Sequence, residues 1–217
     1  MNTKNSVSNK VIVIYLVIFY IWWTIEELAY WSYTSNTLAQ VLLSSSVKLL
    51  TWSIPAFILI KKYSHQLKIG YPQLFKNRFK LWPYLVGIFI MVTYLAIILY
   101  FENGGFKINP NFRASDFIDK FLVVGITEEL VFRGWLLNAL LKKMSTWLAL
   151  IVNNLLFLCI HLPIWYQTHT LVANFTSGGF ISVFILGLIF GLLFIRSKNI
   201  WVPIVYHMLW DIIVTIF

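Results

Sequence analysis

Long apolar stretches separated by short polar segments make up most of this chain. A helix needs about 20 apolar residues to cross a hydrocarbon core of about 30 Å. Seven stretches come close to this length, and together they predict an all-α, polytopic transmembrane helix bundle with about seven spans, although six or eight spans also fit. The stretches are Val11–Trp31, Leu38–Ile60, Leu81–Phe101, Phe117–Leu141, Thr146–Leu162, Gly179–Ile195 and Ile200–Phe217.

The composition agrees with a membrane protein. Of the 217 residues, 59% are hydrophobic and 12% are charged, whereas soluble domains have about 45–50% apolar and about 25% charged residues. The length leaves room for a single integral membrane domain, residues 1–217, and for no separate soluble domain. The single cysteine, Cys159, excludes a disulfide within the chain and a four-cysteine zinc site.

The net charge of +9 is better explained by basic loops than by a nucleic-acid partner. Most Lys and Arg residues precede the first span or follow the second, fourth and sixth spans. The positive-inside rule then predicts a multi-pass protein of the cell membrane with a cytoplasmic N-terminus and an external C-terminus. Residues 63–80 are predicted to form an interfacial helix that turns four apolar side chains toward lipid. These are Tyr71, Leu74, Phe75 and Phe79.

Three charges interrupt the fourth span, in the sequence ITEELVFRGW at residues 126–135. Each charge at a helix centre costs roughly 2.5–3.5 kcal/mol on insertion scales, so Glu128, Glu129 and Arg133 must face protein or water. Glu129 and Arg133 are four residues apart and can pair on one face. Glu128 points about 100° away around the helix and stays available. A buried ion pair that only fixes helix packing would explain these charges equally well.

A similar sequence, TIEELAYW at residues 24–31, serves as an internal control. Its glutamates, Glu26 and Glu27, stand beside Trp31 and Tyr33 at the end of the first span, and Trp31 occupies the position that matches Arg133. Aromatic residues collect at the membrane interface, where a carboxylate can reach water. We therefore interpret this pair as an interfacial anchor.

Two later spans carry a second and a third polar pair. Phe157 and His161 are four residues apart in the fifth span, and His207 and Asp211 are four apart in the seventh. A lone histidine in a bundle is more often a packing residue than a catalyst. Two histidines, an aspartate and an available glutamate on three spans favour a functional site, because ionisable residues are expensive at this depth.

The series EE-x-x-x-R, F-x-x-x-H and H-x-x-x-N/D on successive apolar helices resembles the CPBP family. These are the CAAX protease and bacteriocin-processing, or Abi, intramembrane endopeptidases. The resemblance covers about residues 115–215, and it implies hydrolysis of a peptide bond in a peptide or membrane-protein substrate, in bacteriocin processing or self-immunity. The residues that carry it are Glu128, Glu129, Arg133, Phe157, His161, His207 and Asp211.

By this resemblance, Glu128 and His161 would activate a water, and His207 with residue 211 would form the oxyanion site. Family members with asparagine in that place differ from this chain, because an ionised Asp211 would repel an oxyanion. Asp211 must be protonated, or it accepts a ring N–H of His207 and orients the ring, and we favour the second. Glu129 and Arg133 would be structural or would orient the substrate.

Three alternatives accompany this interpretation. Zinc or another divalent metal held by Glu128, His161 and His207 is the rival mechanism, but the chain has no H-E-x-x-H helix, so we expect no cofactor. A non-proteolytic membrane immunity or binding protein could use the buried charges for packing. A proton-coupled transporter is the weaker alternative, because the sequence shows no inverted repeat.

The remaining reactive side chains receive separate predictions. Cys159 is two positions from His161, so it should face away from it and be buried and inert. Lys48 lies too deep in the second span to reach water easily and could pair with Asp211 or Glu128. His65 and His169 should be solvated in loops. His161 stands at the predicted end of the fifth span, just before Pro163, near the mouth of a site in the outer half of the membrane.

Overall fold

The computed structural model describes residues 6–30 and 37–217, and its helices follow the apolar stretches. This part of the chain contains helices and no β-strand. Five of its helices are long and apolar enough to cross a membrane, and a sixth apolar helix, Trp201–Ile216, is shorter. The all-α membrane bundle is therefore confirmed. The five long helices are Asn9–Ala29, Leu38–Lys62, Trp82–Glu102, Thr146–Gln167 and Gly179–Ser197.

Twelve α-helical segments make up the described bundle. Some of them are continued by π-helical segments, so that residues 38–62 and 117–140 each form one helical rod. The π-helical segments are Leu49–Ser53 in the first rod, and Phe117–Val124 and Leu130–Leu137 in the second. The segments are α1 (Asn9–Tyr30), α2 (Leu38–Lys48), α3 (Ile54–Lys62), α4 (Tyr71–Lys76), α5 (Trp82–Glu102), α6 (Gly125–Glu129), α7 (Asn138–Leu140), α8 (Thr146–Cys159), α9 (His161–Gln167), α10 (Leu171–Thr176), α11 (Gly179–Ser197) and α12 (Trp201–Ile216).

The rod formed by residues 117–140, here called the site helix, lies at the centre of the bundle. Every residue from 127 to 140 is buried, as expected for a helix that is covered on all sides. Its first half packs against α12, and its second half packs against α3, α8 and α11. The charges of this rod consequently face protein rather than lipid, as the cost of inserting them predicts. With α12, the site helix brings the number of rods to the seven that the sequence predicts.

Hydrogen bonds between loops show which loops share an end of the bundle. At one end the amide of Asn77 donates to the carbonyl of Ser197 (2.7 Å), and the amide of Asn199 donates to the carbonyl of Asn77 (2.9 Å). At the other end the amide of Asn103 donates to the carbonyl of Phe217 (2.8 Å). The basic loops that follow the second and sixth spans therefore share one end, opposite the C-terminus. The compartment that each end faces stays a prediction.

The predicted lipid-facing orientation of residues 63–80 is wrong. Leu74 is 0% exposed in the main core, and its carbonyl accepts a hydrogen bond from Ile200 N–H (2.9 Å). Tyr71 and Phe75 pack against the same core, and Phe79 packs against a second apolar cluster. Because this segment closes one end of the bundle, its apolar side chains face protein.

The fifth span is longer than predicted, which changes the depth of His161. The helix pauses at Ile160 and continues as α9 to Gln167. Pro163 falls in the first turn of α9, where a missing N–H leaves no intrahelical hydrogen bond unmade. His161 thus lies six residues, or about 9 Å, inside the end of the rod instead of at its mouth.

Candidate active site

A fully buried ion pair stands at the centre of the site helix. Arg133 Nη1 is 2.9 Å from Glu129 Oε1, and both side chains are 0% exposed. The second guanidinium nitrogen, Nη2, donates to the carbonyl of Gly187 on α11 at 3.0 Å. The guanidinium carbon lies 4.3 Å from the centroid of the Phe157 ring on α8. The predicted pairing of Glu129 with Arg133 is present, and the arginine also ties the site helix to two neighbouring helices.

His207 on α12 is surrounded by three carboxylates. Its Nδ1 is 2.8 Å from the same Glu129 oxygen that accepts from Arg133. Its Nε2 is 3.3 Å from Asp211 Oδ2 and 3.8 Å from Glu128 Oε2. A carboxylate paired with arginine can only accept, so Nδ1 donates to Glu129. The hydrogen bond that orients this ring is made by Glu129, a role that the sequence analysis assigned to Asp211.

Two aromatic rings enclose the two histidines. Phe190 stacks on His207 with a centroid distance of 5.0 Å and an interplanar angle of 27°. Phe157 presents an edge to both histidines, with centroid distances of 6.1 Å to His207 and 5.3 Å to His161. The sequence indicated Phe157 but gave no signal for Phe190. Both rings limit the rotation of the imidazole of His207, whose side chain is only 7% exposed.

The pause between α8 and α9 positions His161. Ile160 N–H bonds to the carbonyl of Phe157 (3.3 Å), and His161 Nδ1 lies 3.2 Å from that same carbonyl oxygen. Because a carbonyl accepts, Nδ1 is the donor and Nε2 keeps its lone pair. His161 interacts electrostatically with Glu128 and His207 and is partly buried.

Helix α1 holds this pause from outside. Trp23 Nε1 donates to the carbonyl of Ile160 at 2.8 Å, and the hydroxyl of Tyr20 donates to the carbonyl of Leu156. Both carbonyls lie at the interruption of the helix, where regular bonding is lost. The first span therefore contributes to the placement of His161, although the sequence assigned it membrane character alone.

The carboxylate of Glu128 differs from that of Glu129 because it makes no hydrogen bond to any residue of the described chain. The Glu128 side chain is 9% exposed, and its Oε2 atom lies 3.8 Å from His207 Nε2. Gly125, one turn earlier, permits this approach: a Cβ at Gly125 would stand 2.6 Å from Met208 Cγ and 3.3 Å from Met208 N. The absence of a side chain at Gly125 therefore lets α12 approach the site helix closely enough to bring His207 to Glu128.

The residues of the alternative metal site are not arranged as a ligand set. Within residues 6–30 and 37–217, no three His, Cys, Asp or Glu side chains lie close enough to hold a metal ion. His207 directs Nδ1 to Glu129 and Nε2 toward Asp211 and Glu128, and His161 directs Nδ1 to a backbone carbonyl. Glu128, His161 and His207 do not fit a metal centre in this arrangement.

A polar cavity of about 400 Å³ lies between these residues and the end of the bundle that carries the C-terminus. Val124 and Ile164 belong to its wall. Val124 precedes Glu128 by four residues and Ile164 follows His161 by three, so the cavity ends about one helical turn, about 5.4 Å, from both. Its charged lining residues are Glu26, Glu27, Lys48, Arg113, Asp116, Asp119 and Lys120.

The cavity changes the interpretation of the control pair and of Lys48. Glu26 and Glu27 line the cavity, so they are more than an interfacial anchor, while Trp31 and Tyr33 lie outside the described residues. Lys48 Nζ is 5.0 Å from the Trp23 ring and 5.1 Å from the Trp52 ring. Among the described residues it forms no ion pair with the predicted partners, Asp211 and Glu128. The four-residue spacing from Lys48 to Trp52 is the signal that could have predicted this contact.

Three further side chains with reactive groups lie away from the cluster that Glu128, Glu129, Asp211 and His207 form. Cys159 is exposed on the outside of its helix, so the prediction that it is buried is wrong. His65 and His169 are exposed, as predicted. None of these three shares a hydrogen bond or ion pair with the cluster in the described part of the chain.

The comparisons with known proteins agree with the motifs. Residues 110–213 match the family model described as Type II CAAX prenyl endopeptidase Rce1-like. No curated protein and no solved structure matches the chain. The matched segment contains every residue of the three motifs. The match confirms the resemblance that the motifs indicated: residues 110–213 are similar to the Rce1-like family of type II CAAX prenyl endopeptidases.

Proposed function

We propose that the protein is an intramembrane endopeptidase that hydrolyses a peptide bond in a peptide or membrane-protein substrate, with water activated by Glu128 and His161. The observation that carries the proposal is the gathering of Glu128 and Asp211 around the Nε2 atom of His207, beside a polar cavity. Glu128 is eleven residues, or about 16 Å, from the start of the site helix, so the chemistry takes place at membrane depth.

Glu128 is the general base of the proposed reaction. It is ready to accept a proton because no hydrogen bond within the described residues occupies its carboxylate. As it takes a proton from water, the water oxygen bonds to the carbonyl carbon of the substrate. His161 donates its Nδ1–H to the carbonyl of Phe157, so its Nε2 lone pair can accept a hydrogen bond from the same water and orient it.

His207 and Asp211 supply the donor for the oxyanion that this addition creates. A carboxylate only accepts, so the contact between Nε2 and Asp211 needs one proton, on the ring or on the carboxyl group. Either form places a donor where negative charge develops. Glu129 holds the ring through Nδ1, and Arg133 holds Glu129.

The tetrahedral intermediate then collapses by breaking its carbon–nitrogen bond. Glu128, now protonated, returns its proton to the leaving nitrogen, which departs as an amine and leaves a carboxylic acid. The carboxylate of Glu128 is regenerated, so one water is consumed and no other reactant is needed. The physiological setting that we propose, bacteriocin processing or self-immunity, rests on the family resemblance alone.

Peptide termini provide the test of this proposal. Membrane and secreted peptides are compared between cells that carry the wild type, Glu128→Gln or His161→Ala. We expect defined new termini in cells with the wild type and none with either variant. Glu102→Gln and His169→Ala, at exposed positions outside the cluster, are matched controls that should retain the new termini.

Two other outcomes would favour the alternatives. If the sets of termini are the same while a wild-type phenotype persists in Glu128→Gln, the glutamates are structural and the protein acts as a binding or immunity protein. If purified protein in liposomes conducts protons and Glu128→Gln stops the flux, the transporter interpretation replaces hydrolysis.

A further inference from the structure

Lys48 is a cation at membrane depth that the proposed reaction does not use. It stands ten residues, or about 15 Å, after the start of α2. The starts of α2 and of the site helix lie at the same end of the bundle, so Lys48 and Glu128 lie at similar depths. An ammonium group at this depth is costly unless it faces protein, water or a ligand.

Lys48 belongs to the lining of the polar cavity. No ion pair joins it to a carboxylate of the described chain, and the undescribed residues 1–5 and 31–36 contain no Asp or Glu. The faces of Trp23 and Trp52 hold it by cation–π contacts. These contacts leave its N–H donors available to an acceptor in the cavity.

The other charges of the cavity are differently engaged. Lys120 is 3.3 Å from Asp119, and Asp116 accepts a hydrogen bond from the backbone N–H of Arg113 at 2.8 Å. Glu26, across the cavity, interacts electrostatically with Lys48 without forming an ion pair in the described structure. Lys48 is therefore a cavity cation that forms no ion pair in the described structure and can receive an incoming anion, and Glu26 is the charge that weakens its attraction for one.

Lys48 is also coupled to the candidate active site. The rod that carries it packs against the first half of the site helix. Trp23, one of the two rings that hold it, donates to the carbonyl of Ile160, the residue just before His161. A group bound at Lys48 would accordingly lie near the residues that activate the water in the proposed reaction.

We propose that Lys48 binds a carboxylate of the peptide substrate and so determines which peptide bond reaches Glu128. The carboxylate is the C-terminal one or that of an Asp or Glu side chain. The inference rests on the proposed function. One residue of extended chain spans at most about 3.6 Å, so the cleaved bond lies close in sequence to the bound carboxylate.

Binding is measured without turnover, in detergent-purified protein that carries Glu128→Gln. The probes are three fluorescein-labelled decapeptides of Ala, Leu and Ser: a free C-terminal acid, its C-terminal amide, and an amide with one internal Glu. Fluorescence anisotropy gives the affinity of each. We expect the acid or the Glu-containing peptide to bind about tenfold more tightly than the plain amide, and the tighter probe identifies which carboxylate Lys48 recognises.

Substitutions at Lys48 separate binding from a structural role. Lys48→Gln should abolish the preference for the carboxylate, and Lys48→Arg should retain part of it. Glu26→Gln should increase the preference, because it removes the competing negative charge. Lys62→Gln is the matched control, because Lys62 also lies over an aromatic ring, 5.5 Å from the centroid of Tyr63. Lys62 stands at the end of the rod, about 21 Å from Lys48, and does not line the cavity, so this variant should change nothing.

Equal affinities for the three probes, no measurable binding of any probe, or a preference that survives Lys48→Gln would overturn the inference. If Lys48→Gln fails to fold, the sign of the Glu26→Gln effect decides, since no change or a decrease contradicts carboxylate binding at Lys48. The assay does not depend on cleavage. A Lys48-dependent preference in a protein that produces no new termini would thus reject the protease proposal while the anion site stands.

Discussion

The buried pair of Glu129 and Arg133 offers the sharpest test of how the bundle is held together. Replacing Arg133 by Met keeps an unbranched side chain of similar length but removes the guanidinium group. The change deletes the bonds to Glu129 and to the carbonyl of Gly187. It leaves the Glu129 carboxylate, which is 0% exposed, with His207 as its sole hydrogen-bond partner in the described structure.

The expected loss of stability follows from that burial. Removing one partner of a buried ion pair costs about 3–5 kcal/mol, because the other charge stays buried without compensation. For a chain of this size, each kcal/mol lowers the melting temperature by about 2–4 °C. Arg133→Met should therefore lower it by on the order of 10 °C. The double variant Glu129→Gln/Arg133→Met should recover part of this loss, because it leaves no unpaired charge.

The melting temperature is measured on the purified protein in one detergent. Samples are heated, and size-exclusion chromatography then shows how much folded protein remains. Wild type, the two single variants and the double variant form a double-mutant cycle that isolates the coupling between the two residues. A melting temperature for Arg133→Met within 2 °C of the wild type would refute the reasoning, and so would a double variant that loses the sum of both single losses. Either result would mean that the pair adds nothing to helix packing.

Four further predictions come from other parts of the molecule. Gly125→Ala should destabilise the protein by about 1–3 kcal/mol and slow cleavage, because the new Cβ displaces Met208 and the neighbouring His207; unfolding and turnover measured together would show it. Leu74→Ala should cost about 2–5 kcal/mol in unfolding experiments, whereas a lipid-facing leucine would lose almost nothing. Cys159→Ala should leave both the melting temperature and the rate of cleavage unchanged, since the thiol is exposed on the outside of its helix; a loss of either would place it in the core. Chelation by EDTA should leave the rate of cleavage unchanged, because the described histidines and carboxylates form no metal-binding group; a loss that zinc restores would contradict this.

Local rules were sufficient for part of the candidate site. The pairing of Glu129 with Arg133 follows from a spacing of four residues on one helix. The availability of Glu128 follows from its different direction around the same helix. By contrast, His207 and Glu129 are 78 residues apart, and their hydrogen bond depends on how closely α12 approaches the site helix. The sequence gave Asp211 that role because only partners within one turn can be inferred from spacing.

The wrong predictions for side-chain orientation also arise because contacts between separate helices cannot be inferred from spacing. An apolar side chain in a membrane protein can face lipid or the core, and its hydropathy does not distinguish them. Leu74 and Cys159 were therefore assigned to the wrong environments, and the true ones follow from which helices cover them. Lys48 was expected to seek a carboxylate, but two indole rings contact it instead. Trp52 lies one turn later on the same rod, and Trp23 comes from α1.

The sequence by itself determined the membrane bundle, the approximate number of its apolar stretches, the family resemblance of residues 110–213 and the pairing of charges within one helix. These depend on local hydropathy, on motif order and on the fixed geometry of an α-helix. Only the tertiary structure decided that the site helix lies at the centre of the bundle, that Glu129 orients His207, and that a polar cavity ends about one helical turn from Glu128 and His161. Those features depend on the contacts between separate helices, which hydropathy leaves open because lipid and protein interiors are about equally apolar.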